Sequence, residues 1–109
     1  AVLLHGDFKP SNLHRSGEDL VVLDWEFAWA GPALMDVGQL LRWSPPAAFV
    51  AGFAAAYLAG GGVLPAGWRR LAELFDLFNL VGLLEAPGKR RAADVSARVR
   101  RTLGRTRAT

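Results

Sequence analysis

Residues 3–13 read LLHGDFKPSNL and residues 20–26 read LVVLDWE, and these two stretches decide how the chain is organised. The first crowds His5, Gly6, Asp7, Lys9, Pro10 and Asn12 into one short segment. Apolar Val2–Leu4 before it predicts a short strand, and His5–Ser11 a loop. Asn12–His14 and Leu20–Leu23 then read as two strands, joined through Arg15-Ser16-Gly17-Glu18-Asp19, which has turn composition. If they pair antiparallel around Gly17-Glu18, opposed positions sum to about 36, which sets Asn12 opposite Asp24 on one face.

Outward from this hairpin the pattern becomes helical. After Asp24 an irregular link runs through Gly31-Pro32. A helix is predicted from about Ala33 to Trp43, with Leu34, Val37, Leu40 and Leu41 on one face. Pro45-Pro46 ends it and can open the next helix, where Phe49, Phe53 and Tyr57 recur every fourth residue as a core stripe. The run Gly60-Gly61-Gly62 closes that helix. Pro65 opens a third, to about Glu85, apolar nearly all round except for Arg69, Glu73, Asp76 and Asn79, and so expected to be deeply buried. Pro87-Gly88 breaks it, and a basic helix is expected from about Arg90 to Leu103. Short strands followed by about four mostly buried helices make a segregated α+β layout, not alternating βα units.

Composition bounds the function. The chain has 109 residues, 51% hydrophobic and 21% charged, which is globular in character and at most one domain. It has no cysteine, so disulfides and thiolate metal sites are excluded, and a reducing, cytoplasmic setting is compatible. The net charge of +3 hides an asymmetry: an acidic N-terminal third and eight bases against Asp94 in residues 86–109. A nucleic-acid partner is not expected from this tail, because no aromatics interleave with its arginines to stack on bases. No charge falls between Trp43 and Trp68, yet prolines and glycines break that stretch into pieces shorter than the roughly 20 residues a bilayer requires, so no membrane span is expected.

The hairpin and the loop together carry chemistry. Asp7 stands at the far end of a loop whose exit is Asn12; Gly6 permits a tight approach, and Pro10 fixes one backbone dihedral. Two carboxylates, Asp7 and Asp24, and the Asn12 amide oxygen can thus converge. Few oxygen ligands with room for water suit Mg²⁺ shared with phosphates, not zinc. Asp7 is then free to accept or orient an attacking hydroxyl, and Lys9 can offset charge on a transferring phosphoryl group.

The spacing H-G-D-F-K-P-S-N followed by D-W-E parallels the kinase catalytic loop and its later magnesium aspartate. With VVLDWEFAWAGPALMDVGQLLR, it resembles the aminoglycoside phosphotransferase and choline kinase-like group of small-molecule kinases, over about residues 3–42. The resemblance implies a protein kinase-like C-terminal lobe spanning 1–109, using ATP and Mg²⁺ to phosphorylate a hydroxyl of a small molecule. It implies Asp7 as the catalytic aspartate, Lys9 near the γ-phosphate, and Asn12 and Asp24 as Mg²⁺ ligands. Glu26 would stand near the metal or substrate, and His5 and Asp36 would support the loop. By type, Glu26, Trp29, Trp43, Glu73 and Asp76 are candidates for recognising the acceptor. The nucleotide-binding N-terminal lobe of such a kinase has no counterpart here, since no G-x-G-x-x-G occurs and the other lysine, Lys89, lies far downstream. The chain alone is therefore expected not to turn over ATP, its missing lobe being a required partner. The alternative is a kinase-like binding or regulatory module without catalysis.

Overall fold

The computed structural model describes residues 1–84 and 96–104. Its β-structure is two separate two-stranded antiparallel sheets. One pairs β1 (Val2–Leu4) with β4 (Trp29–Gly31), so that Val2 faces Gly31 and Leu4 faces Trp29. The other is the hairpin of β2 (Leu13–Ser16) and β3 (Asp19–Val22). Strand β4 falls where an irregular link was expected. It is only three residues long and carries no apolar alternation beyond Trp29-Ala30, so it forms by pairing with β1 rather than by its own pattern.

The hairpin register differs from expectation by one residue. The loop is Gly17-Glu18, with Gly17 at φ 63°, the glycine-first arrangement of a tight two-residue turn. Leu13 therefore faces Val22 and Ser16 faces Asp19. Continued outward, this register sets Leu23 opposite Asn12, and Leu23 N–H donates to the Asn12 carbonyl at 2.8 Å. Asp24 is thus not the cross-strand partner of Asn12. A shift of one position reverses which face a strand residue occupies, and the chain leaves the ladder at this point.

Three helices follow, α1 (Leu34–Leu41), α2 (Ala47–Ala59) and α3 (Trp68–Leu84), and residues 96–104 are also helical. Of the basic helix expected over 90–103, residues 90–95 lie outside the described residues. Leu34 and Val37 of α1 meet Ala72 of α3 at the centre of the core, and Leu41, Phe53, Leu64, Trp68 and Phe75 pack against them. Gly38 makes this approach possible: a Cβ there would run into the Ala72 carbonyl. The two backbones touch, which fixes α1 on α3 without an intervening side chain.

The helices are less buried than their composition suggested. In α2 only Val50 is buried; Phe53 reaches the core and stacks on Tyr57, while Phe49 stays 45% exposed. The glycine run ends this helix as expected, with Gly62 N–H donating to the Tyr57 carbonyl at 2.8 Å. In α3 the line Ala72, Asp76, Leu80 faces inward, and Phe78 is 70% exposed. The expectation of a deeply buried α3 fails because part of its polar stripe points at α1. Asp76 makes a paired ion bridge to Arg42, through Nε at 2.8 Å and Nη2 at 2.5 Å, and Asn79 donates to Asp76 at 3.1 Å. No helix among the described residues is long and apolar enough to cross a membrane.

Candidate active site

The loop between β1 and β2 is held from three directions. From below, α1 presents Asp36 in its first turn: Oδ2 accepts His5 N–H at 2.7 Å and Oδ1 accepts Gly6 N–H at 3.1 Å. Asp36 does not cap its own helix; its carboxylate is spent on loop amides. One turn further, Gln39 accepts Phe8 N–H at 2.7 Å and donates to the Gly6 carbonyl at 3.2 Å. Gln39 was not foreseen from the sequence. The available signal was a lone amide at i+3 from Asp36, on the same face of an otherwise apolar helix.

From within, His5 is a bracket between loop and hairpin. It is 2% exposed, and its Nδ1 accepts Asp7 N–H at 3.1 Å. Nε2 must then carry the proton, and it donates to the Leu23 carbonyl at 2.7 Å. Trp25 covers the ring, its centroid 4.7 Å away. Both ring nitrogens are occupied by backbone groups, so the imidazole has no free atom with which to act on a ligand.

From above, Asn12 closes the loop. Pro10–Asn12 form one 3-10 turn with Pro10 at its start, and Asn12 N–H donates back to the Lys9 carbonyl at 2.9 Å. The Asn12 side chain is buried, and its Nδ2 donates to both the carbonyl (2.8 Å) and Oδ2 (3.1 Å) of Asp7. Two acceptors face this end of the amide, which fixes the nitrogen there and turns Oδ1 away. That oxygen accepts no hydrogen bond among the described residues.

Asp7 is the centre of these contacts. Its Oδ2 receives Asn12 and also Lys9, whose Nζ lies 3.3 Å away, while its Oδ1 has no partner among the described residues. The side chain is 27% exposed. One oxygen is thus anchored and the other is accessible. Lys9 was expected to face a phosphoryl group; in this structure it lies against Asp7, with its own side chain 36% exposed.

Asp24 and Glu26 stand at the end of the hairpin. Asp24 adopts the left-handed conformation, φ 59° and ψ 64°, and precedes the 3-10 turn Trp25–Phe27. Asp and Asn tolerate that conformation better than most residues. Neither the Asp24 nor the Glu26 side chain makes an ion pair or hydrogen bond among the described residues, and both residues are exposed. No group of three His, Cys, Asp or Glu side chains able to hold a metal occurs among the described residues, so Asp7, Asp24 and Glu26 do not form an all-carboxylate cluster. What remains close to Asp7 is the Asn12 amide, whose nitrogen faces it. Asp24 follows the residue hydrogen-bonded to that same asparagine.

The candidate acceptor residues divide. Trp29 lies on β4 and Glu26 beside the loop, both exposed. Asp76 is buried in its bridge to Arg42 and is withdrawn as a recognition residue. Glu73 pairs with Arg70 at 2.7 Å, and Trp43 lies under the Arg98 guanidinium, 5.3 Å from its centroid. A polar cavity lined by Arg42, Glu73, Asp76, Arg98 and Thr102 borders none of the loop residues.

Compared with known proteins, residues 1–74 of the 109 match the model of the phosphotransferase enzyme family. That match contains the loop, the hairpin, α1 and the start of α3. No curated protein and no solved structure matches the chain.

Proposed function

Since the chain belongs to the phosphotransferase enzyme family, we propose that it carries the catalytic loop of an ATP-dependent kinase that phosphorylates a hydroxyl of a small molecule. The observation that carries this reading is the split state of Asp7, with Oδ2 held by Asn12 and Lys9 and Oδ1 accessible. A carboxylate so placed accepts the proton of a hydroxyl as that oxygen attacks the γ-phosphorus. The O–H bond breaks toward Asp7, a new O–P bond forms, and the bond to the β-phosphate oxygen breaks to release ADP. Orientation and charge placement, more than covalent chemistry, then set the rate.

Lys9 belongs to the same reading. Released from Asp7, its flexible ammonium reaches outward and neutralises charge on the transferring group. Mg²⁺ would be held by Asn12 through Oδ1 and by Asp24 through its carboxylate, with Glu26 nearby. The donor set fits, since both are hard oxygen ligands without partners among the described residues, and this ion keeps several waters and phosphate oxygens. When bound, it supplies neutralisation of the phosphate charge. His5, Asp36 and Gln39 bind the loop and take no part in the chemistry.

The acceptor belongs to the aminoglycoside, choline or sugar-like class in this reading, with the exposed Glu26 and Trp29 as candidates to meet it. The nucleotide-binding lobe is a further part of the same protein in a kinase-like arrangement. Leu3, Trp25 and Phe27 are 48–71% exposed around the loop, apolar surface of the kind that a packed neighbour covers. The reading is tested by assaying the purified 109-residue chain and the whole protein that carries it with ATP, Mg²⁺ and a panel of hydroxyl compounds. It requires turnover by the whole protein and none by the chain alone. Absence of acceptor-dependent ADP formation by the whole protein across the panel would count against it.

A further inference from the structure

Gln39 touches neither peptide group at random. The Gly6 carbonyl belongs to the peptide unit that precedes the Asp7 Cα, and the Phe8 N–H belongs to the unit that follows it. One side-chain amide therefore grips both planes that flank Asp7, accepting from one at 2.7 Å and donating to the other at 3.2 Å. Fixing both planes fixes the two backbone dihedrals of Asp7, and with them the direction of its Cα–Cβ bond. No other side chain among the described residues holds both of these groups.

The grip is itself held. Gln39 is 7% exposed, and it stands next to Gly38, whose backbone lies against the Ala72 carbonyl. Helix α1 thus cannot shift on α3 without losing the core, and Gln39 cannot leave the loop without stranding a buried amide. Asp36 binds the N–H groups of His5 and Gly6, which lie before the Asp7 residue; it cannot set the plane that follows. Asp36 thus anchors the start of the loop; His5 also holds the plane before the Asp7 Cα through the Asp7 N–H, and Asn12 the plane after it through the Asp7 carbonyl, while Gln39 is the side chain that spans both.

We infer that Gln39 is a positioning residue for Asp7, setting the carboxylate direction on which turnover depends. The inference rests on the phosphotransferase reading of Asp7. Removing the grip leaves nucleotide and acceptor contacts in place but misdirects the base, so the loss falls on kcat and not on KM.

The test uses Gln39→Met, which keeps the side-chain volume and removes both polar groups, and Gln39→Glu, which keeps the acceptor for Phe8 and loses the donor to Gly6. Both are made in the whole protein, with amide hydrogen exchange at Phe8 and steady-state kinetics as readouts. Gln39→Met should speed Phe8 exchange at least about tenfold and lower kcat about 10–100-fold, with KM for ATP changed less than about threefold. Gln39→Glu should keep Phe8 protected yet lower kcat, because its carboxylate repels the Gly6 carbonyl. Unchanged Phe8 exchange in Gln39→Met overturns the inference whatever happens to activity. So does an unchanged kcat in both variants when Asp7→Asn is inactive. Full activity of Asp7→Asn would instead remove the phosphotransferase reading, while Phe8 exchange would still report on the grip.

Discussion

Asp36 Oδ2 accepts the backbone N–H of His5 at 2.7 Å, across 31 positions of sequence. This bond and its companion to Gly6 N–H tie the helical half of the molecule to the loop that carries Asp7. Hydrogen bonds to a charged group contribute about 1.5–3 kcal/mol each. Asp36→Ala removes two of them and should therefore lower stability by about 3–6 kcal/mol. Asp36→Asn should cost less, since one oxygen still accepts. Urea denaturation of the two variants against the parent checks the order; equal stability of Asp36→Ala and the parent would show that the two bonds are not formed.

Gly6 sits at φ +85°, and a Cβ there would collide with the Phe27 carbonyl. The conformational penalty for a side chain in the left-handed region is about 1–2 kcal/mol, before the collision is counted. Gly6→Ala should destabilise the protein by more than that and displace Asp7. Thermal unfolding should show a lowered midpoint, and turnover should fall even at temperatures where the variant is folded.

Arg42 and Asp76 form a bridge in which both side chains are less than 10% exposed. Removing one partner strands the other charge, at a cost of about 3–5 kcal/mol, whereas replacing both by apolar residues of similar volume is close to neutral. Asp76→Ala should be strongly destabilising, and the double variant Arg42→Met/Asp76→Leu should recover most of the loss. A double variant less stable than either single one would contradict this account of the α1–α3 interface.

Asp24 combines a left-handed backbone with a carboxylate that has no partner among the described residues. Asn adopts that conformation nearly as readily, so Asp24→Asn separates structure from chemistry. Its melting temperature should stay near that of the parent, while the Mg²⁺ concentration needed for half-maximal turnover should rise at least about tenfold, as expected for loss of a charged oxygen ligand. An unchanged Mg²⁺ requirement would take Asp24 out of the metal site.

The loop was legible in the sequence because its residue types are fixed by chemistry at short spacing. His5, Asp7, Lys9 and Asn12 all lie within one turn of chain, and what they can reach follows from local geometry. Helix α1 was legible because Leu34, Val37 and Leu40 repeat at helical spacing. The register was missed by one residue because a turn centred on Gly17-Glu18 pairs positions that sum to 35, not 36, and the continuous apolar pattern of Leu20–Leu23 is blind to such a slip. Strand β4 was missed because it forms by partnership with β1, a pairing across the whole loop and hairpin. The burial of Asp76 and the grip of Gln39 depend on α1 meeting α3 at Gly38, which is tertiary and leaves only a lone polar residue on an apolar face as its trace.

The central claim is that Asp7 accepts the proton of the attacking hydroxyl, and the most direct measurement is kcat for acceptor-dependent ADP formation by the whole protein and its Asp7→Asn variant. Asn keeps the shape and can still meet Asn12 and Lys9 through its oxygen, but it cannot take up a proton. The account predicts a fall in kcat of about 10²–10⁴-fold, with KM for ATP nearly unchanged and the melting temperature preserved. A variant that turns over at the parent rate would contradict it.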